Sequence, residues 1–280
     1  MSFEELTLGD ECPIGVFDSG IGGLSVLKEI HQLLPYENLI YVGDSLHAPY
    51  GDNSAAYVRE RSQHISEFLL DQGVKAIVVA CNTATAEAAT QLRATMDVPV
   101  IGLEPAIKPA SQLSKNGVIG ILATQRTINS ERLSGLTEKF ANDKKVIAQA
   151  CPGLVELVEA CNLESAETIS LLNQYIQPLL DQGTDTLILG CTHYPFLIPA
   201  IQTIVSSDIE ILETGKPVAK QLQRILQQNQ LERSVLNYSE KSNYKSKLTF
   251  YNSSDNPQQC SAMKELWGSD ITINTLPDLN

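Results

Sequence analysis

Short apolar runs alternate with amphipathic stretches along almost the whole chain. IGVFD (Ile14 to Asp18), LIYVG (Leu39 to Gly43), AIVVA before Cys81, GVIGILAT (Gly117 to Thr124), KVIAQA and TLILG before Cys191 are the runs. Apolar segments of this length, bounded by small residues, predict strands buried on both faces of a parallel sheet. Between them, SVLKEIHQLL (Ser25 to Leu34, closed by Pro35), a stretch around Ala56 to Gln72, Asn129 to Phe140 and Glu164 to Leu180 carry helical periodicity, with Ser130 available as a cap. That alternation marks βαβ units. VIGLE, between Pro99 and Pro105, reads as a crossing between domains; the chain is expected to return after IEILE (Ile209 to Glu213), with LTFYN (Leu248 to Asn252) and ITINTL (Ile271 to Leu276) as late strands. The expected fold is therefore α/β, two similar open parallel-sheet domains with a cleft between them. The first domain is discontinuous, 1–103 plus 213–280, and the second is 104–212. Gln227 to Lys247 is polar and poorly periodic and reads as an exposed loop or a partly ordered insertion.

Two cysteines occupy matching places in this pattern, more than a hundred residues apart. AIVVACNTATAEAA and TLILGCTHYPFLIPA each place a cysteine directly after an apolar strand and before a small polar cluster that opens a helix. A residue leaving such a strand lies at the carboxyl edge of the sheet, where open α/β folds put their chemistry. One thiol from each half suggests a single cleft with a sulfur on each wall, an arrangement suited to moving a proton from one face of a ligand to the other. A buried cysteine is more often core than catalyst. Against that, Cys81 is followed by Asn82, Thr83 and Thr85, which can cap the next helix and face the cleft, and a helix N-terminus favours the thiolate and lowers its pKa. His193 stands two residues after Cys191, either as a helix-start residue bonded to backbone or as an acid/base group near the second thiol.

Composition narrows the classes. With 43% hydrophobic residues in 280, the chain can build a real core. A formal charge of −13 leaves no electrostatic footprint for nucleic acid. An acidic ligand would have to be held by helix N-termini and backbone N–H groups. No apolar stretch approaches the ~20 residues of a membrane span. MSFEELTLGDECP lacks the basic start and apolar centre of a signal peptide, so a cytoplasmic protein with reduced thiols is expected. None of the six cysteines (Cys12, Cys81, Cys151, Cys161, Cys191, Cys260) forms a CxxC pair, and the four histidines (His31, His47, His64, His193) complete no zinc pattern, so no metal is expected. Cys151 and Cys161 read as structural.

Three further stretches carry candidates. In FDSGIGGLSVL, Gly20, Gly22 and Gly23 are not spaced as GxGxxG, and the acidic residue precedes them, which weighs against a dinucleotide loop. The glycines instead permit a tight turn and close backbone approach, with Asp18 and Ser19 facing the cleft from a strand end. Asp18 reads equally as a helix-capping carboxylate. HAPYG places Tyr50 and Gly51 in a loop at the sheet edge, where the Gly51 N–H can bind a carboxylate. Glu156 and Glu159 in CPGLVELVEA have apolar neighbours at helical spacing, and the plain reading is a solvated helix face.

Taken in order, GVFDSGIGGLSVL, YVGDSLHAPYG, KAIVVACNTATA, PVIGLEP, CPGLVELVE and DTLILGCTHYP resemble the glutamate racemases of the cofactor-independent amino-acid racemase superfamily, from about Ile14 to Glu213. The resemblance implies Cys81 and Cys191 as the acid/base thiols, with Asp18 assisting Cys81, and His193 and Glu159 assisting Cys191. It implies substrate contacts from Asp18, Ser19, Tyr50, Gly51, Asn82, Thr83, Thr192 and His193, and no cofactor. Aspartate racemases keep the paired cysteines but usually have an acidic residue where His193 stands. Two departures from the family pattern are Glu156, where a proline is usual, and SLHA before PYG, where threonine, alanine and arginine are common; the stretch 227–247 has no family counterpart.

The layout fits the chemistry that the resemblance implies. An amino acid's α-proton is very weakly acidic, and without pyridoxal phosphate as an electron sink the carbanion must be stabilised electrostatically. One base returns the proton to the face it left, so inversion is best served by two. The expected activity is interconversion of L- and D-glutamate, Cys191 deprotonating the L- and Cys81 the D-enantiomer, with D-glutamate feeding peptidoglycan assembly. A cytoplasmic homodimer is expected. The rivals are a racemase or isomerase of the same fold acting on aspartate, a hydantoin or maleate, and a non-catalytic small-ligand binding protein on this scaffold. A pyridoxal enzyme is disfavoured, since no lysine occupies a strand end comparable to either cysteine.

Overall fold

A computed structural model describes residues 11–233 and 245–279. Among the described residues ten strands form two sheets, all neighbours parallel. The first sheet holds β1 (Ile14–Asp18), β2 (Leu39–Gly43), β3 (Ala76–Val79), β4 (Val100–Gly102), β9 (Leu248–Asn252) and β10 (Ile273–Thr275) in the order β10-β9-β2-β1-β3-β4. The second holds β5 (Val118–Ala123), β6 (Lys145–Ala150), β7 (Thr186–Leu189) and β8 (Glu210–Leu212) in the order β6-β5-β7-β8. The core of both sheets is thus the same motif, β2-β1-β3-β4 repeated as β6-β5-β7-β8. In each, the chain leaves its first strand to one side and then crosses to the other. The reversal falls between β1 and β3 in one sheet and between β5 and β7 in the other, and a crevice opens at such a switch point beyond the carboxyl ends of the strands.

The central strands β1, β2, β3 and β7 are buried along their whole length, as wholly apolar runs require in a sheet covered on both faces. Leu24–Leu33 (α1), Ala55–Asp71 (α2), Asn82–Thr95 (α3), Ile107–Leu113 (α4), Gln125–Ile128 (α5), Glu131–Phe140 (α6), Leu154–Glu159 (α7), Ala166–Leu180 (α8), Ile198–Gln202 (α9), Gly215–Gln228 (α10) and Pro257–Trp267 (α11) are the helices among the described residues. Ser130 caps α6 by accepting the Leu133 N–H at 3.2 Å. Ser165 caps α8 through the Thr168 N–H at 3.1 Å. One apolar cluster runs continuously from Ile14, Leu24, Leu27 and Leu226 of the first half to Leu154 and Leu187 of the second, so the two halves share a core; separate clusters lie under the far face of each sheet.

Asn129 to Phe140 holds the expected helix, Glu131–Phe140, with Ser130 as its cap. Two expectations change. Val100–Gly102 forms the edge strand of the first sheet, paired with β3, and the chain passes to the second sheet after it. Gln227 and Gln228 belong to α10, which packs on α1; the rest of the expected insertion falls largely on 234–244, outside the described residues.

A feature the sequence does not announce is an ion pair between Lys75 and Glu37, 2.6 Å apart and both buried, joining the segments that lead into β3 and β2. Removing Lys75 takes the cation from a buried carboxylate whose other oxygen keeps the Arg233 N–H at 2.8 Å. Lys75→Met is expected to cost about 3–5 kcal/mol in denaturant unfolding; a loss within experimental error would contradict this.

Candidate active site

Asp18 ends β1 and is fully buried. Its Oδ2 accepts the N–H groups of Gly20 at 3.3 Å and Gly23 at 2.9 Å, and its Oδ1 accepts the Thr192 hydroxyl at 3.4 Å from the other half. Both readings of Asp18 therefore coexist: it stabilises the turn into α1 and it reaches across the cleft. Burial raises its pKa, offset in part by the charge of His193 and the Gly23 N–H.

Cys81 follows β3 and forms the N-cap of α3, its sulfur accepting the Ala84 N–H at 3.4 Å and donating to Ser19 Oγ at 3.7 Å. The expected lowering of its pKa does not occur. Burial, then the charge of Asp18, push the thiol far up, and the Ala84 and Ser19 hydrogen bonds offset only part of this. Desolvation exceeds what a helix N-terminus supplies, so Cys81 rests as a thiol.

On the opposite wall Cys191 follows β7, with its sulfur 3.7 Å from His193 Nδ1. His193 Nε2 lies 2.7 Å from Glu159 Oε1. The same oxygen accepts the Ile21 N–H at 2.8 Å. Burial alone would pull the imidazole pKa down, but the hydrogen bonds to Cys191 and Glu159 outweigh it and hold His193 well above its ordinary 6.5. The wall thus carries an imidazolium between a sulfur and a carboxylate. The plain reading of CPGLVELVEA fails for one of its two acids: Glu156 is exposed, whereas Glu159, three residues on, turns into the cleft. Cys151, buried and pushed up to about 12 by its surroundings, donates to the Gln149 carbonyl at 3.3 Å.

The two thiols line one narrow cavity of about 10 Å³, room for about one water molecule. Ser19, Tyr50, Gly51, Asn82, Thr83, Thr192 and His193 line it too. Both amide atoms of Asn82 are buried without a hydrogen-bond partner among the described residues, so they are available to a ligand. The Tyr50 hydroxyl donates to Asp44, so this residue offers its ring and backbone rather than its O–H. The sequence reading missed Thr124 and Thr127, which extend the lining from the second half. Thr83 Oγ1 lies 3.1 Å from Thr124 Oγ1 and 3.4 Å from Thr127 Oγ1, a three-hydroxyl cluster across the cleft. The signal was present, since Thr124 leaves β5 as Cys81 leaves β3. A larger groove of about 520 Å³ adjoins the cavity and shares Pro49, Gly51, Thr124 and Val155 with it.

The glycines of GIGG explain how closely the walls approach. A Cβ on Gly20 would overlap the Glu159 carboxylate, and one on Gly22 would overlap the His193 ring. Among the described residues no cluster of three or more His, Cys, Asp and Glu side chains suits a metal ion, and no helix is long and apolar enough to cross a membrane.

Paired cysteines at two matching switch points, each with a polar partner, define a racemase-type site. The family model for Asp/Glu/Hydantoin racemase matches residues 14–222, and the chain belongs to that family. It is 46% identical over 266 residues to the glutamate racemase of Stutzerimonas stutzeri (strain A1501), covering 95% of this chain and 97% of that protein. Its fold matches the crystal structure of glutamate racemase isoform RacE1 from Bacillus anthracis with a TM-score of 0.84 at 32% identity, over 95% of this chain and 98% of that one. It likewise matches the glutamate racemase of Francisella tularensis subsp. tularensis SCHU S4 in complex with D-glutamate, with a TM-score of 0.81 at 29% identity, over 95% and 98% of the two chains.

The raised pKa of His193 carries a stability signature. Its interactions contribute fully at and below the ordinary value of 6.5 and fade as pH rises through the higher folded value. The stability gap between the protein and His193→Asn should therefore be largest near pH ~6 and narrow toward alkaline pH. Denaturant melts across that range provide the check, and a gap that widens with pH would contradict the assignment.

Proposed function

We propose that this chain interconverts L- and D-glutamate by a two-base mechanism without a cofactor. The observation that carries this reading is a thiol on each wall of one narrow cavity. The chemistry asks for that arrangement: the α-carbon must lose a proton on one face and gain one on the other. His193 stands beside Cys191, its Nδ1 3.7 Å from the sulfur and placed to exchange a proton with it, while Cys81 is held protonated. Cys191 then takes the α-proton and the Cys81 thiol delivers its own to the opposite face. In reverse the roles exchange, with Asp18 serving Cys81, and His193 with Glu159 serving Cys191.

The lining supplies the remaining requirements. Asn82 presents unpartnered donors and an acceptor, Ser19, Thr83, Thr192 and the Gly51 backbone add hydrogen-bonding groups, and Thr124 and Thr127 extend the hydroxyls to a second carboxylate. Fixed dipoles in a narrow site stabilise developing charge with little reorganisation. The cavity is smaller than glutamate, so admission requires the walls to part, and the adjoining groove at Pro49 and Val155 is the entry side. Glutamate is favoured over aspartate by His193 and by the glutamate racemases to which the chain is similar. The D-glutamate formed would serve peptidoglycan assembly, and we propose a homodimer working in the cytoplasm.

Circular dichroism of L- and of D-glutamate with the purified protein, no cofactor added, tests the reading. Each enantiomer should drift to the racemate. Cys81→Ala and Cys191→Ala should each lower the rate by at least ~10²–10⁴-fold in both directions, the range for a lost acid or base, with unchanged far-ultraviolet spectra. Racemisation persisting in either variant would sink the two-base model, and faster turnover of aspartate would overturn the substrate.

A further inference from the structure

Asp44 follows β2, is fully buried and does not line the cavity. Four hydrogen bonds converge on its carboxylate. Oδ2 accepts the Tyr50 hydroxyl at 2.6 Å and Arg61 Nε at 3.1 Å; Oδ1 lies 2.9 Å from Arg61 Nη2 and 2.8 Å from His47 Nδ1. Despite burial, the hydrogen bonds from Arg61, Tyr50 and His47 keep its pKa low, so Asp44 stays an anion. Tyr50, raised by burial and by Asp44, stays a neutral donor. Arg61 lies on α2 and grips both carboxylate oxygens, the bidentate geometry that fixes orientation as well as charge.

This cluster connects to parts of the fold that the chemistry does not touch. The third Arg61 nitrogen, Nη1, donates to the main-chain carbonyl of Leu279 at 3.1 Å. That segment is itself anchored, because the Leu276 N–H donates to the Asn252 carbonyl at 2.8 Å and Leu276 is buried in the cluster that also holds Tyr50. Toward the site, Asn53 Nδ2 donates to the His47 and Pro49 carbonyls at 3.2 and 3.1 Å, tightening the loop that carries Tyr50 and Gly51. A Cβ on Gly51 would press on Thr124 of the opposite half at 3.0 Å. The loop is therefore seated between the two walls, and its one buried side-chain hydroxyl is committed to Asp44.

We propose that Asp44 is a positioning residue: by accepting the Tyr50 hydroxyl it seats residues 48–53 against the substrate cavity, and Arg61, braced on Leu279, holds it there. The inference rests on the racemase reading for its kinetic consequence, though not for the contact itself. Loss of an ion pair that serves only to stabilise the fold would lower stability and leave substrate affinity alone. Loss of a positioning pair raises KM through the loop, by way of the same hydroxyl.

Kinetics of Tyr50→Phe, Asp44→Asn and the double variant separate these. Each single change should raise KM for glutamate about tenfold, the scale of a hydrogen bond to a charged group, with kcat changed much less. The double variant should be no worse than the worse single one, since both remove one interaction. Losses that multiply, or an unchanged KM, overturn the proposal. Should Asp44→Asn fail to fold, Tyr50→Phe keeps the Asp44–Arg61 pair and decides alone: an unchanged KM overturns it. A second readout needs no activity. With ¹³Cζ-tyrosine labelling, the Tyr50 signal is the one lost in Tyr50→Phe. It should resist ionisation beyond the ~10 of free tyrosine in the native chain and titrate lower in Asp44→Asn. Identical titration in both overturns the contact. A chain that fails to racemise glutamate yet shows this difference refutes the functional reading and leaves the contact standing.

Discussion

Glu159 Oε1 accepts two hydrogen bonds, from the Ile21 backbone of the first half and from His193 of the second. That oxygen ties the glycine turn after β1 to the histidine beside Cys191. The interlock forms because Gly20 and Gly22 have no side chains: a methyl on either would occupy the space of the carboxylate or the imidazole. On it depend the protonated state of His193, the close facing of Asp18 and Thr192, and the narrowness of the cavity between the thiols. The turn is not a phosphate cradle. It is a surface shaped for the opposite wall.

The repeated topology explains why the reacting groups come in pairs. Asp18 and Cys81 leave β1 and β3, the strands flanking the first switch point; Thr124 and Cys191 leave β5 and β7, flanking the second. Facing two such crevices encloses a small ligand between strand ends, each prolonged by a polar turn. The chemistry is asymmetric even though the topology is not. Cys81 meets a buried carboxylate and a helix start and stays protonated, while Cys191 meets an imidazolium. The two sulfurs thus sit in chemically different surroundings.

Much of this is legible in the chain because it depends on local pattern. Buried parallel strands are continuous apolar runs, and the residue after each run lies at the sheet edge, so the placement of Asp18, Cys81 and Cys191 at strand ends can be read directly. The edge strand Val100–Gly102 cannot, since three residues between prolines carry little periodicity. Thr124 obeys the strand-end rule but sits in no motif that draws attention to it. Glu159 and Glu156 share a helix of apolar neighbours; periodicity alone leaves both solvated, the family resemblance points to Glu159, and the fold places its carboxylate on His193. The direction of the Cys81 shift is misjudged from sequence for a related reason: a helix N-terminus is visible there, whereas complete burial beside Asp18 is not. The Asp44, Arg61 and Leu279 contacts span most of the chain and have no local signature.

The central claim is that two thiols, one on each face, exchange the α-proton. Each enantiomer of glutamate, run separately in deuterated water and sampled at low conversion, tests it most directly. A thiol that receives the substrate's proton differs from the one that delivers a solvent-derived hydron to the product. The account predicts deuterium at the α-carbon of the product formed in each direction, with the recovered substrate still protiated. Rapid accumulation of deuterium in the recovered substrate would show that one base serves both faces and would contradict it.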